Sequence, residues 1–223
     1  MSDFPAMPAG FATQLPPPIP AWAGVSAHPG NLTRGPLTPY KPESFSTLYL
    51  WWAIIAGLHL LLLVPALILW PLHFIALPIF IASVVFEVLI LYKAWNQIQD
   101  GAQRTTPGRA VGFGFIPFFN FYWWFTEYQG LAEDANSFTR KYGLNTPLVS
   151  VPLAATICIL SICKWLLCWL PVLNSLLVIS EIVLLVIFLH QVKLASMAIA
   201  QAKITAAAQA GTLPGMVGTS VGG

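Results

Sequence analysis

The chain has 223 residues, of which 57% are hydrophobic, 13% aromatic and only 8% charged, with a formal net charge of +2. Long stretches lack charge altogether, which excludes a soluble globular domain, and the few basic residues form no patch of the kind that binds nucleic acid. The composition is that of an integral membrane protein.

In chain order, the first segment is proline-rich: ten of the 19 prolines lie before residue 43, including "LPPPIP" at Leu15 to Pro20. Residues 1–43 are expected to form a disordered, partly polyproline tail. Pro17 and Pro20 match a PxxP spacing, for which a plain linker is the ordinary reading. Asn31 in "NLT" matches a glycosylation acceptor, but the topology derived below puts it inside the cell. No basic n-region with a cleavage site precedes the first apolar run, so that run is expected to act as the insertion signal.

Ser44 to Phe86 is a run of 43 residues without Asp, Glu, Lys or Arg, enough for two helices of about 20 residues each. Tyr142 to Val192 holds only Lys164 and Glu181 as formal charges, with a turn at Pro171 and Asn174. The expected fold class is all-α integral membrane, with four transmembrane helices as two hairpins. The spans are placed near Leu48–Leu69, His73–Trp95, Leu148–Trp169 and Leu173–Lys193, inside a membrane domain of residues 44–210. Alanine-rich sequence after Lys193 extends the last helix, because alanine has the highest helix propensity. The glycine-rich residues 211–223 are expected to form a disordered tail.

Lysine and arginine near span ends are retained on the cytoplasmic side. Arg34, Lys41, Lys93, Arg104, Arg109, Arg140, Lys141, Lys193 and Lys203 all fall on one face if there are four spans. Both termini are then cytoplasmic, in the inner (plasma) membrane. Lys164 alone is intramembrane.

Ala110 to Thr126 is uncharged for 17 residues, near the lower limit for a span. Crossing would carry Arg140 and Lys141 to the wrong face. Nine of these residues are aromatic, and aromatics favour the headgroup layer. After Pro117, the residues Phe121, Trp124, Tyr128, Leu131, Ala135, Phe138 and Tyr142 recur at helical spacing, while Glu127, Glu133, Asp134, Asn136, Arg140 and Lys141 fall elsewhere. The expectation is a cytoplasmic interfacial amphipathic helix over about 118–142, capped by Asn120 and stopped at Gly143. Its turn at Ile116 and Pro117 dips into lipid or into the bundle. The competing reading is a soluble-type helix packed over the bundle mouth. On the interfacial reading, Phe121, Trp124, Tyr128, Leu131 and Phe138 bind lipid or a partner. In "RTTPGR", Thr106 caps a short helix with Pro107 at its first position. Arg104 and Arg109 beside its free amides suit an anion such as a lipid phosphate, against the plainer reading of an ordinary helix start.

Charge inside a membrane costs about 2.5 to 3.5 kcal/mol on insertion scales, so each such group calls for a partner. Lys164 and Glu181 are symmetric about the turn at Val172 and Leu173, and an antiparallel hairpin brings them to one depth. An ion pair is expected, as a structural clamp more than a relay. Glu87 lies about one helical turn from the level of His59, close enough for the two to meet within the bundle, either as a neutral hydrogen-bonded pair or as an ion pair. His59 and His190 differ by roughly 9 Å in depth at the helical rise, too far for one haem. Cys158, Cys163 and Cys168 are spaced by five and read as buried free thiols. No GxSxG, HExxH, Walker loop or clustered metal-ligand spacing occurs, so no catalytic residue, cofactor or metal is expected.

The run "LYKAWNQIQDGAQRTTPGRAVGFGFIPFFNFYWWFTEYQGLAEDAN", Leu91 to Asn136, resembles the central loop of a group of bacterial four-span membrane proteins, with TTPG followed by IPFFNxYW. In some relatives a small soluble domain precedes the spans; here a proline-rich tail stands in that place. "TTPGR" is also similar to the TPGK of the RDD membrane proteins, although the arginine and aspartate of that family's first span are absent. The resemblance implies the topology and no activity. The functional expectation is a non-catalytic accessory or scaffold protein, bound to membrane lipids and to a membrane-protein partner or to copies of itself. The alternative is a small ion or solute transporter using Lys164, Glu181, Glu87 and His59. A membrane enzyme acting on lipid or quinone among Trp51, Trp52, Trp123 and Trp124 has the least support, since interfacial anchoring explains those residues.

Overall fold

The computed structural model describes residues 40–68 and 73–209, with the side chains of 63–68, 73 and 209 left out. The proline-rich tail with its PxxP and Asn31, the first hairpin turn and the glycine-rich tail lie outside the described residues. Everything described is helix or connecting turn.

The long helices are α1 (Pro42–Ile68), α2 (His73–Gln97) and α7 (Pro171–Gln209). Three helices are long and apolar enough to cross a membrane: Pro42–Leu62, Phe74–Gln97 and Pro171–Ala208. Between α2 and α7 come α3 (Pro107–Gly112), a 3₁₀ turn (Phe113–Phe115), α4 (Asn120–Trp124), a π turn (Phe125–Gln129), α5 (Gly130–Lys141) and α6 (Val151–Leu166). α6 is apolar but has only 16 residues, about 24 Å at the helical rise. It falls short of the expected span because the chain turns over Leu167–Trp169, with the Leu170 amide donating to the Leu167 carbonyl at 3.0 Å, before Pro171 opens α7.

Local chemistry sets the helix ends. Proline at the first helical position loses no hydrogen bond it would otherwise make, and α1 and α7 both begin on one. The Ser150 hydroxyl accepts from the Leu153 amide and caps α6. The Ser150 amide in turn donates to Gln191 Oε1 at 2.8 Å, tying that cap to α7. α5 stops at Gly143, whose φ is +62°. There the Gly143 amide reaches the Arg140 carbonyl and the Leu144 amide the Thr139 carbonyl, at 3.2 and 2.9 Å. This paired termination requires a left-handed residue, which glycine adopts without a Cβ clash.

The core occupies one half of the bundle, the half bearing the basic residues. Trp52 and Ala56 of α1, Ile90, Leu91, Ala94 and Trp95 of α2, Leu131 and Phe138 of α5, Ala154 and Ile157 of α6 and Phe188, Leu189 and Ile199 of α7 pack there. At the opposite end large apolar side chains stand exposed, among them Leu61, Phe74, Leu166, Trp169 and Val172. Polar closures finish the basic end. Lys141 pairs with Asp100 at 2.7 Å, Lys203 Nζ donates to the Gln97 carbonyl, and Lys93 and Lys193 lie over the rings of Tyr40 and Tyr49.

Candidate functional site: an aromatic hairpin and two polar pairs

The segment from Arg104 to Lys141 doubles back on itself. Both of its ends lie at the basic end of the bundle, where the Arg104 guanidinium bridges Glu133 at 2.7 Å and Asp134 at 2.9 Å. Desolvation lowers the Arg104 pKa, but its two carboxylate partners outweigh that and leave it raised. Arg104 is thus committed within the protein. Arg109 is exposed on α3. Thr106 holds the N-cap position in extended geometry without a side-chain cap bond, and Pro107 follows it.

The descending limb, α3 and the 3₁₀ turn, packs on the returning limb. Trp123 Nε1 donates to the Ala110 carbonyl at 2.7 Å, and the Phe113 and Trp123 rings meet edge-on at 4.8 Å. Gly114 allows the closest approach: a Cβ there would stand 2.8 Å from Glu127 Oε2. The reversal is made by Pro117, Phe118 and Phe119. The Phe119 amide donates to the Pro117 carbonyl at 2.8 Å, and Phe118 has φ +64°. That bond and that angle describe a γ-type turn, a strained form. Phe119 takes the N-cap position expected of Asn120, which instead begins α4; the Asn120 Oδ1 is buried without a partner among the described residues.

The returning limb runs antiparallel to α6. At one end Asn136 and Val149 exchange two hydrogen bonds of 2.8 Å, and at the other the rings of Phe121 and Trp165 meet at 5.8 Å. The π turn lies between them, and Trp95 Nε1 donates to the carbonyl of its Glu127 at 3.2 Å.

These contacts redistribute the expected lipid-binding or partner-binding face. Leu131 and Phe138 are 1% and 4% exposed and belong to the core. Phe121, Trp124 and Tyr128 are half-buried. Glu127, expected among the outward polar residues, is buried because the descending limb covers it. The apolar side chains left outside are Phe115 (64% exposed), Ile116 (45%), Phe118 (84%), Phe119 (40%) and Tyr122 (68%). Helical periodicity missed them because four of the five lie in or before the reversal, where no helical period applies. The uncharged aromatic run itself was their only sequence signal.

Two polar pairs lie deeper in the bundle. Lys164 Nζ bonds Glu181 Oε2, and the Ser161 hydroxyl donates to the other Glu181 oxygen. Ser161, one turn before Lys164, was not singled out from sequence. Glu87 does not bond His59. Its carboxyl accepts from the Tyr128 hydroxyl at 2.6 Å, because the returning limb delivers that phenol to α2. His59 packs its ring on Phe80 at 5.4 Å, and His190 lies against Tyr49 at 5.6 Å, so the two histidines have separate surroundings. Of the three free cysteines only Cys158 is buried; Cys163 is half-buried and Cys168 exposed. No cluster of three or more His, Cys, Asp or Glu suited to a metal occurs among the described residues. No family model, curated protein or solved structure matches the chain.

Proposed function

We propose that the protein is a non-catalytic accessory or scaffold component of a membrane assembly, held in the inner membrane by four inserted helices with both termini cytoplasmic. α6 with its following turn is the fourth inserted element. The basic residues of α2, α3, α5 and α7 gathered at one end support this orientation, and the central-loop resemblance to four-span bacterial proteins accords with it.

One observation carries the reading: five large apolar side chains exposed within the eight residues Phe115–Tyr122. The span helices carry exposed apolar faces as dense, as at Phe74–Ile81, but this one lies outside the long helices, and exposed apolar surface there supports contact with lipid or another protein. The amphipathic helix behind it is a packed support that presents this tip.

The experiment is mass spectrometry of the tagged protein extracted mildly from its native membrane. A stoichiometric partner is the expected result. A lone protein, with or without bound lipid, would sink the scaffold reading. Topology has its own check: single cysteines at Asn145 and Trp169 should label from opposite faces, and labelling from one face overturns the orientation.

The second reading is transport of a small ion or solute. The Ser161–Glu181–Lys164 cluster and the Tyr128–Glu87 pair favour it, since ionisable groups inside a membrane often line conduction paths. Proteoliposome flux above that of Glu181→Gln and Glu87→Gln variants would establish it.

A further inference from the structure

Two independent rulers measure how far the aromatic hairpin extends below the basic end. On α7, Lys193 marks the basic boundary, its ammonium lying 4.7 Å from the Tyr49 ring centre. Glu181 is twelve residues further along, about 18 Å at the helical rise. Glu181 bonds Lys164, and the neighbouring Trp165 ring touches Phe121. On α2, Lys93 marks the same boundary, and Glu87 lies six residues below it, about 9 Å. Tyr128 bonds Glu87, and Phe121 lies seven residues deeper on the same limb, about 10 Å more. Both routes place Phe121 at about 18 to 20 Å from the lysine level, past the middle of a hydrocarbon core about 30 Å thick.

We infer that Ala110–Gly130 is a re-entrant hairpin: it enters the bilayer from the basic face, reverses at Pro117–Phe119 beyond mid-bilayer, and returns, holding Phe115, Ile116, Phe118, Phe119 and Tyr122 against lipid acyl chains. The inference rests on the membrane reading above and deepens it by naming what the tip contacts and at what depth.

Three features suit the segment to that environment. It carries no charge between Ala110 and Thr126. Its reversal carries four internal backbone hydrogen bonds, which lower the cost of placing its backbone in hydrocarbon. The amides of Ile116, Phe119, Asn120 and Tyr122 bond the carbonyls of Phe113, Pro117, Ile116 and Phe119 at 2.8 to 3.2 Å, and Pro117 brings no amide hydrogen to satisfy. The returning limb also lies beside an exposed apolar flank of α6: Phe121 meets Trp165, which is 56% exposed, and Leu166 next to it is 66% exposed. That neighbourhood favours acyl chains over a separate protein, since lipid would cover both elements.

The test uses the full chain, with Cys158→Ala, Cys163→Ala and Cys168→Ser as background, and a single Phe118→Cys carrying an environment-sensitive fluorophore. The protein is reconstituted in phosphatidylcholine and phosphatidylglycerol vesicles bearing a nitroxide either near the headgroup or deep on the acyl chain. Deep nitroxide should quench the Phe118 label several-fold more strongly than shallow, with the order reversed for a label at Arg109→Cys. A label quenched best by shallow nitroxide or by aqueous iodide overturns the proposal, and so does one reached by no quencher, which would mean protein covers the tip. Phe115→Cys gives the same reading if the Phe118 variant does not fold. Co-purification decides the scaffold reading separately, so either idea can fail without the other. Failure to resist alkaline extraction from the vesicles would remove both.

Discussion

Tyr128 and Glu87 are 41 residues apart in sequence, yet the Tyr128 hydroxyl donates to the Glu87 carboxyl across 2.6 Å. This bond joins the returning limb of the hairpin to the middle of α2, and the Tyr128 ring also rests on Phe188 of α7 at 5.9 Å. Hairpin position and bundle packing are therefore coupled through one phenol.

Tyr128→Phe keeps the ring and removes the donor. Leaving this part-buried carboxyl without its partner costs up to about 1 to 3 kcal/mol, so the variant's unfolding midpoint in mild detergent should fall. Glu87→Gln retains an acceptor oxygen and should cost less. Equal stability of wild type and Tyr128→Phe in a denaturant titration would show that the bond contributes nothing.

The Lys164–Glu181 pair yields a coupling prediction. Glu181 is 9% and Lys164 27% exposed at the side chain. Breaking a buried pair from one side costs about 3 to 5 kcal/mol, whereas replacing both partners by apolar residues is often neutral. Lys164→Met should destabilise strongly, and Lys164→Met with Glu181→Met should recover most of the loss. A double variant as unstable as the two single losses combined would contradict the clamp.

Asp100 supplies the pH dependence. Its burial raises the carboxyl pKa, but the Lys141 ammonium, the Ala102 amide and the Tyr142 hydroxyl together bring it below the ordinary carboxylate value. A carboxyl depressed in the folded state contributes stability that is complete above its unfolded value, about 4, and is lost as pH falls through the folded value. Asp100→Asn should lower stability at neutral pH and flatten the loss seen below about pH 4. Parallel pH profiles for the variant and wild type would rule out this linkage.

The Arg104 bridges should be unequal. Asp134 receives both the Arg104 amide and its Nε at 3.0 Å and is 14% exposed, whereas Glu133 receives one guanidinium bond and is 35% exposed. Arg104 itself is 41% exposed, which screens both pairs and limits each to a few tenths to about 1 kcal/mol. Asp134→Ala should accelerate limited proteolysis between Gly101 and Thr106 more than Glu133→Ala does. The reverse ranking would assign the anchoring to Glu133.

The sequence by itself determined the helical class, the apolar segments, the gathering of basic residues at one end and the meeting of Lys164 with Glu181. Each of these is local or symmetric: hydropathy is summed along one helix, and a hairpin with a marked turn fixes which residues share a depth. Gly143 as a helix stop was equally legible, because only glycine adopts that termination readily. Which face of the aromatic segment turns inward was decided by tertiary structure alone. The pattern from Phe121 to Tyr142 identified an apolar stripe, but a stripe buries itself equally well against lipid or against protein. Only the packing of α5 on α2, α6 and α7 puts Leu131 and Phe138 in the core, and only the doubled chain buries Glu127 and carries Tyr128 to Glu87 in place of His59. The reversal at Phe118 was illegible for a further reason. A bulky residue at positive φ runs against local preference, so no propensity predicts it, and contacts on both limbs hold it there.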